Sequence, residues 1–269
     1  MLRTSTVKKI NDFVYNKPRT VQEIAHAIGV NWRTADRYVE RIEKETGTLS
    51  IRTFRKGTRG ALKIVYWNNI EKIHSSEFQE RILQKILSYR KKEDFSPLDI
   101  YQYVDEAKRN AFLEPHQDKT VAQDLETMFR SAQSQILIFS GNLDWATVKQ
   151  GKTKVIDILE EVLQDKRISL KALSIVDVTS LRNITKFLEI NERLGREAVE
   201  IRHSEQPLRA VVVDKKNARL KEVKDPKKYE CGVLGGKTDI YYEIFDEEWV
   251  DWMQKVFWKL FRVGISTKK

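Results

Sequence analysis

The chain has 269 residues, enough for one large or two ordinary domains of about 100–200 residues, and its 41% hydrophobic and 10% aromatic content supplies a core and excludes disorder as the ground state. No apolar run approaches the ~20 residues of a membrane span, no apolar signal segment follows the basic first residues, and the single Cys231 excludes a disulfide framework or a zinc site of several thiolates, so a cytoplasmic protein without membrane contact is expected. The net charge of +10 is uneven: residues 1–69 hold 14 Lys and Arg against 6 acids, which places the basicity in the N-terminal quarter.

Thr20-Val21-Gln22-Glu23 is a capping box, whose hydroxyl and carboxylate satisfy free amides of a first helical turn. Ile24, Ala25 and Ile28 make the apolar face of that helix, Gly29 allows a sharp turn, and Asn31 caps the next helix. There Ala35, Tyr38, Val39 and Ile42 recur at helical spacing, leaving Trp32, Arg33, Arg37 and Arg41 off the core stripe. Leu49 to Phe54 alternates as a strand, Ala61 to Trp67 returns beside it, and Arg55-Lys56-Gly57-Thr58-Arg59-Gly60 forms a basic tip between them. Over about residues 5–69 this order resembles a winged helix-turn-helix, with Ala25, Gly29, Val30, Ala35 and Tyr38 at the family's small-residue, turn and packing positions. The resemblance implies a DNA-binding domain at 1–69. Asn31, Trp32, Arg33, Thr34, Arg37 and Arg41 would meet the groove, with Arg33 and Arg37 reading bases, while Arg55, Lys56 and Arg59 touch phosphate or the minor groove. Alternatives stay open: a basic surface that only keeps the chain soluble, a module that docks protein, and, for Trp32, packing against the hairpin instead of stacking on DNA.

Residues 71–90 read as a long amphipathic helix carrying Ile73, Phe78, Ile82, Ile86 and Tyr89. After Arg90-Lys91-Lys92, a solvated face or a further phosphate contact, Ser96-Pro97 opens a second helix with Ile100, Tyr101, Val104 and Ala107, and with Phe112 and Leu113 near its end. Heptads are not sustained, so 70–115 is expected to be a helical linker or a dimerising hairpin.

From 118 the pattern alternates. A helix with Val121, Leu125, Met128 and Phe129 precedes a strand at 135–140, a helix around Val155 to Val162, a strand near 168–176 and a helix from Leu181 to Leu194. Strands at 199–202, 208–213, 218–223 and 239–245 lead to a terminal helix, 247 to about 261, rich in Trp and Phe. This predicts an α/β sandwich with a mixed sheet at 116–269, within an α+β and α/β multidomain chain. Order and spacing over about 116–262 resemble the phospholipase D superfamily, whose half-site reads His-x-Lys-x4-Asp on a strand, then Gly-Ser-x-Asn, then Glu before an aromatic helix. Pro207, Arg209 and Asp214 stand in the first motif, Gly235-Gly236-Lys237-Thr238 in the second and Glu243 in the third. In that family an imidazole attacks the phosphodiester and forms a phosphohistidine; Pro207 cannot, so the resemblance implies a catalytically silent domain. Arg209, Asp214 and Lys237 remain to hold an anionic or sugar-like ligand, the alternative being a plain Arg209–Asp214 ion pair. His203, four residues before Pro207, is the substitute nucleophile if the strand runs through the proline. The other histidines, His26, His74 and His116, are scattered, and Gly232 to Thr238 is one residue short of a P-loop, so neither metal nor cofactor is expected.

A winged helix followed by such a domain is similar to the archaeal TrmB-like transcriptional regulators. The resemblance implies a regulator that binds double-stranded DNA and senses a small effector through its C-terminal domain. Its rivals are a phospholipase D-like nuclease targeted to DNA by the winged helix, and an assembly module that binds protein. Homodimerisation is expected because one winged helix makes few contacts and two-fold symmetry matches paired half-sites, with the aromatic terminal helix or the 71–112 helices at the interface.

Overall fold

The computed structural model describes residues 4–15, 17–46, 49–55, 61–67, 75–116, 125–150, 153–228, 234 and 236–267. At the N-terminus α1 (Thr4–Tyr15), α2 (Val21–Ile28) and α3 (Trp32–Thr46) pack with an antiparallel sheet of β1 (Arg19–Thr20), β2 (Leu49–Arg55) and β3 (Ala61–Trp67), in the order β1-β3-β2. The capping box forms: the Glu23 amide donates to the Thr20 hydroxyl at 3.2 Å, and the Thr20 amide donates to the Glu23 carboxylate at 2.7 Å. α2 stops at Gly29, whose φ of +71° is a left-handed conformation that glycine adopts without a Cβ clash. Ile10, Val14, Ile24, Ala35, Val39, Ile42, Leu49 and Val65 bury their side chains together.

Strand alternation gives the β2–β3 hairpin two apolar faces. Leu49, Ile51 and Val65 face the three helices, whereas Phe54, Leu62 and Ile64 join a second core made with α4 (Ser75–Ser88), α5 (Leu98–Tyr101) and the C-terminal part of the chain. Polar ties border that seam: Arg52 Nη2 donates to the Ala111 carbonyl at 2.8 Å, and Arg109 Nη2 donates to the Tyr66 hydroxyl at 3.1 Å.

The helix expected to run from Pro97 to about Leu113 is a single turn, α5; residues Arg109–Pro115 form a strand, β4, instead. Period two wins because Ala111 points into the core while Phe112 and Glu114 point away, and because β12 (Thr238–Ile244) would otherwise present a row of unpaired backbone groups. The expected linker therefore supplies the last strand of the C-terminal sheet.

That sheet has eight strands in the order β13-β9-β8-β5-β10-β11-β12-β4. Its members are β4, β5 (Gln135–Phe139), β8 (Ser169–Ser174), β9 (Val199–His203), β10 (Ala210–Val213), β11 (Asn217–Lys224), β12 and β13 (Ile265–Ser266). β5, β8 and β9 run parallel and the remaining pairs are antiparallel, which makes a mixed α/β body. A separate ribbon joins β6 (Lys149–Gln150) to β7 (Thr153–Lys154). One face of the sheet, with Leu137, Phe139, Val212, Leu220 and Tyr242, is covered by α4, α5 and α9 (Glu247–Val263). The opposite face, with Ile136, Ile138, Ala172 and Ile201, is covered by α6 (Leu125–Arg130), α7 (Val155–Val162) and α8 (Leu181–Leu194). At β11 and β12 that second face turns polar: Arg219, Lys221, Asp239 and Glu243 alternate with the core residues. Trp249, Trp252, Phe257 and Phe261 of α9, and Ile82 and Ile86 of α4, are buried in the chain's own core, so these side chains do not form the open dimer face expected of them.

Among the described residues no helix is long and apolar enough to cross a membrane.

Candidate functional site

Two regions carry unusual charge. In the first, α3 begins at Asn31, whose side-chain oxygen accepts the Thr34 amide at 2.9 Å, and its stripe of Ala35, Val39 and Ile42 is buried. Asn31, Trp32, Arg33, Arg37 and Arg41 are exposed, and Thr34 lies between the two faces. Trp32 is 48% exposed, with the Arg33 guanidinium over its ring at 5.6 Å. Two acids, Asp36 and Glu40, stand beside these cations, and β3 answers them: Lys63 Nζ lies 2.7 Å from an oxygen of each. Burial opposes the Lys63 charge, but the hydrogen bonds to Asp36 and then Glu40 outweigh it and raise its pKa above the ordinary lysine value. One of the two acid charges is thereby offset and the outer face of α3 stays net cationic. Arg55 ends β2, and Lys56 and Arg59 of the expected hairpin tip lie outside the described residues.

The second region is a cleft of about 670 Å³ at the carboxyl ends of the parallel strands β5 and β8, where open α/β sheets take ligands. Its walls include Ser140, Asn142, Trp145, Asp177, Arg209 and Tyr241. Ser140 Oγ accepts the Trp145 indole N–H and the Leu143 amide, each at 3.2 Å, which fixes the indole in the wall. Lys92 reaches in from the turn after α4 and donates to the carbonyls of Ser140, Gln206 and Leu208 at 2.7–3.1 Å. Burial, then the Arg209 guanidinium, push the Lys92 ammonium down to about 6, against three carbonyls that favour the charged form. Lys92 is thus a structural tie and neither a solvated face nor a free phosphate contact. Arg219 and Lys221 also line the cleft, paired at 2.7 Å with Glu243 and Asp239.

Of the three residues expected to hold a ligand, Arg209 alone is in the cleft wall. Asp214 lies past the far end of β10, about 16 Å away along an extended strand, so the two do not pair. It adopts φ +47° in the turn to β11, and its carboxylate accepts the Ser134 hydroxyl at 2.6 Å and the amides of Gln133, Ser134 and Gln135 at 2.7–2.9 Å. Burial works against ionisation there, but the Ser134 hydroxyl and these amides hold the carboxyl below its usual range. Asp214 is a strut between the β10–β11 turn and the start of β5. Lys237 is exposed and is not part of the cleft wall; its carbonyl accepts the His116 amide at 2.9 Å. His203, at the end of β9, is not in the cleft wall, and its Nδ1 accepts the Val176 amide at 2.9 Å.

Sequence reasoning missed Lys92 and His116. His116 borders the cleft with Nδ1 2.7 Å from a carboxylate oxygen of Asp239, a residue only 4% exposed and also bound by Lys221. Only its position one residue past a strand pairing with β12 could have signalled it. Among the described residues no group of three or more His, Cys, Asp and Glu side chains is arranged to hold a metal ion.

No family model matches the sequence, and no curated protein matches it. Solved structures align with it at low identity. Nuc, a phospholipase D family member from Salmonella typhimurium, is 7% identical with a TM-score of 0.42, over 60% of this chain and all of that one. TrmBL2, described as an archaeal chromatin protein with a novel mode of DNA binding, is 15% identical with a TM-score of 0.42, over 99% of this chain and 95% of its own. NucT from Helicobacter pylori is 11% identical with a TM-score of 0.40, over 59% of this chain and 98% of its own. The chain is similar to these three structures, and its own residues carry the reading that follows.

Proposed function

We propose that the chain is a sequence-specific DNA-binding transcription regulator, with a winged helix-turn-helix at its N-terminus and a non-catalytic phospholipase D-like domain that serves effector binding and dimerisation in the cytoplasm. The observation that carries this is the outer face of α3: Arg33, Arg37 and Arg41 are exposed on the side opposite the buried stripe, with Trp32 at their head, while Lys63 pairs with both neighbouring acids and leaves the face net positive. Such a face suits phosphate and base edges in a major groove. The test is duplex binding by fluorescence anisotropy across a salt series. Replacing Arg33 or Arg37 with Ala is expected to cost about 1–3 kcal/mol and relax selectivity, and binding that ignores salt refutes the reading. A homodimer belongs to the proposal on symmetry grounds, and a monomer by sedimentation with and without duplex removes it.

The His116–Asp239 pair favours a second reading, a phosphodiesterase acting in the cleft, since a carboxylate at Nδ1 orients an imidazole for proton transfer. Hydrolysis of a generic phosphodiester by the wild type, abolished in His116→Ala, would establish it.

A further inference from the structure

The cleft wall holds four basic side chains, Lys92, Arg209, Arg219 and Lys221, against two acids, Asp144 and Asp177. The cations differ in what holds them. Lys92 is spent on three backbone carbonyls. The partners of Arg219 and Lys221 are carboxylates of β12, the half-buried Glu243 and the buried Asp239. Arg209 is held differently: its partner is Glu93, a residue of the turn after α4 that is not itself in the wall and is 58% exposed, and the two meet through a 3.2 Å contact from one guanidinium nitrogen.

A partly exposed ion pair of this kind contributes little, because the Glu93 charge is well solvated and a long side chain must be held in place. A guanidinium engaged at one nitrogen keeps the rest of its donor fork for a planar or tetrahedral oxyanion. The Glu93 carboxylate is itself an oxyanion held at one nitrogen of Arg209, and an incoming oxyanion competes with it for that guanidinium. The same wall offers Asn142, Asp177 and Thr179 to hydroxyl groups, with Trp145 and Tyr241 as flat flanks.

We propose that the cleft binds a small hydroxylated organic oxyanion through Arg209, and that Glu93 is an internal competitor which the anion displaces. This deepens the reading of the C-terminal domain as an effector domain and rests on it. The headgroup chemistry, an oxyanion, is shared by phosphates and carboxylates. Glu93 sits one residue after Lys92, whose Nζ bonds the carbonyl of Ser140 in the cleft wall, so displacement of Glu93 is felt in the turn after α4.

The test uses the full chain without DNA and two probes, inorganic phosphate and acetate, titrated by calorimetry. Glu93→Gln is expected to bind the preferred probe about two- to fivefold more tightly than the wild type, the worth of an exposed ion pair. Arg209→Gln is expected to lose that binding, with its unfolding midpoint showing that it is folded. Because Glu93 is exposed, its variant keeps the test alive if Arg209→Gln is unstable. Equal affinity in the wild type and Glu93→Gln, or saturable binding that survives in Arg209→Gln, overturns the proposal, as does the absence of saturation by either probe in Glu93→Gln. Duplex binding is measured on the same proteins: its loss in the wild type, with anion binding intact, would remove the DNA reading and leave this one standing.

Discussion

Replacing Lys63 with Met isolates a contribution to duplex binding from a residue that is not on the reading face. Its ammonium lies 2.7 Å from oxygens of both Asp36 and Glu40, which border Arg33 and Arg37 on α3. With Lys63 present, the three arginines and two acids of this face and the lysine sum to +2; without it they sum to +1. That one uncompensated carboxylate charge at ~6 Å from a DNA phosphate costs about 0.7 kcal/mol in water by Coulomb's law. A loss of about 0.7 kcal/mol is roughly threefold in affinity. The slope of log affinity against log salt should fall by about 0.9, one phosphate's worth. The assay is anisotropy of a labelled duplex over a salt series, with circular dichroism as the control for folding. The triple variant Lys63→Met, Asp36→Asn, Glu40→Gln, whose face sums to +3, should bind at least as tightly as the wild type. A folded Lys63→Met that binds like the wild type, or a loss that neutralising both acids does not restore, refutes the electrostatic argument.

Three further outcomes concern the scaffold. Asp214→Ala strands three backbone amides and should lose about 3 kcal/mol or more in urea unfolding, with duplex affinity unchanged; a loss under about 1 kcal/mol refutes its role as a strut. Lys92 has a native pKa of about 6 against an ordinary 10.5, so across that window the unfolded chain holds more protons and stability rises with pH. Lys92→Met should flatten that rise in unfolding midpoints taken from about pH 6 to about pH 9.5, and an unchanged slope assigns the pH dependence elsewhere. Thr20→Ala removes the acceptor for the Glu23 amide and should cost about 1 kcal/mol in chemical denaturation.

Local signals were legible. The Thr20–Glu23 box, Gly29 and the strands and helices from Gln135 to Phe261 follow from capping and periodicity that need only neighbours in sequence. Pairings between distant residues were not. Residues 109–115 carry apolar groups that fit helix or strand, and their true partner is β12, more than a hundred residues on. Arg209 stands at the head of a strand, as its spacing predicts, but the spacing that fits Asp214 to a ligand motif says nothing of the turn at positive φ and the amide cradle that decide what its carboxylate does. Lys92 looked like one of three bases in a turn. Its role depends on carbonyls 48 to 116 residues away, which no periodicity reveals.

The two-faced β2–β3 hairpin has a consequence for how the chain comes apart. Phe54, Leu62 and Ile64 belong to the core of the C-terminal body, while Leu49 and Val65 on the same strands belong to that of α1–α3. Melting either unit strips one side of a sheet the other still needs, so neither can open alone without exposing apolar surface on both. Calorimetry should then record one endotherm whose van't Hoff and calorimetric enthalpies agree, as for a single cooperative unit, although the chain is built around more than one hydrophobic centre.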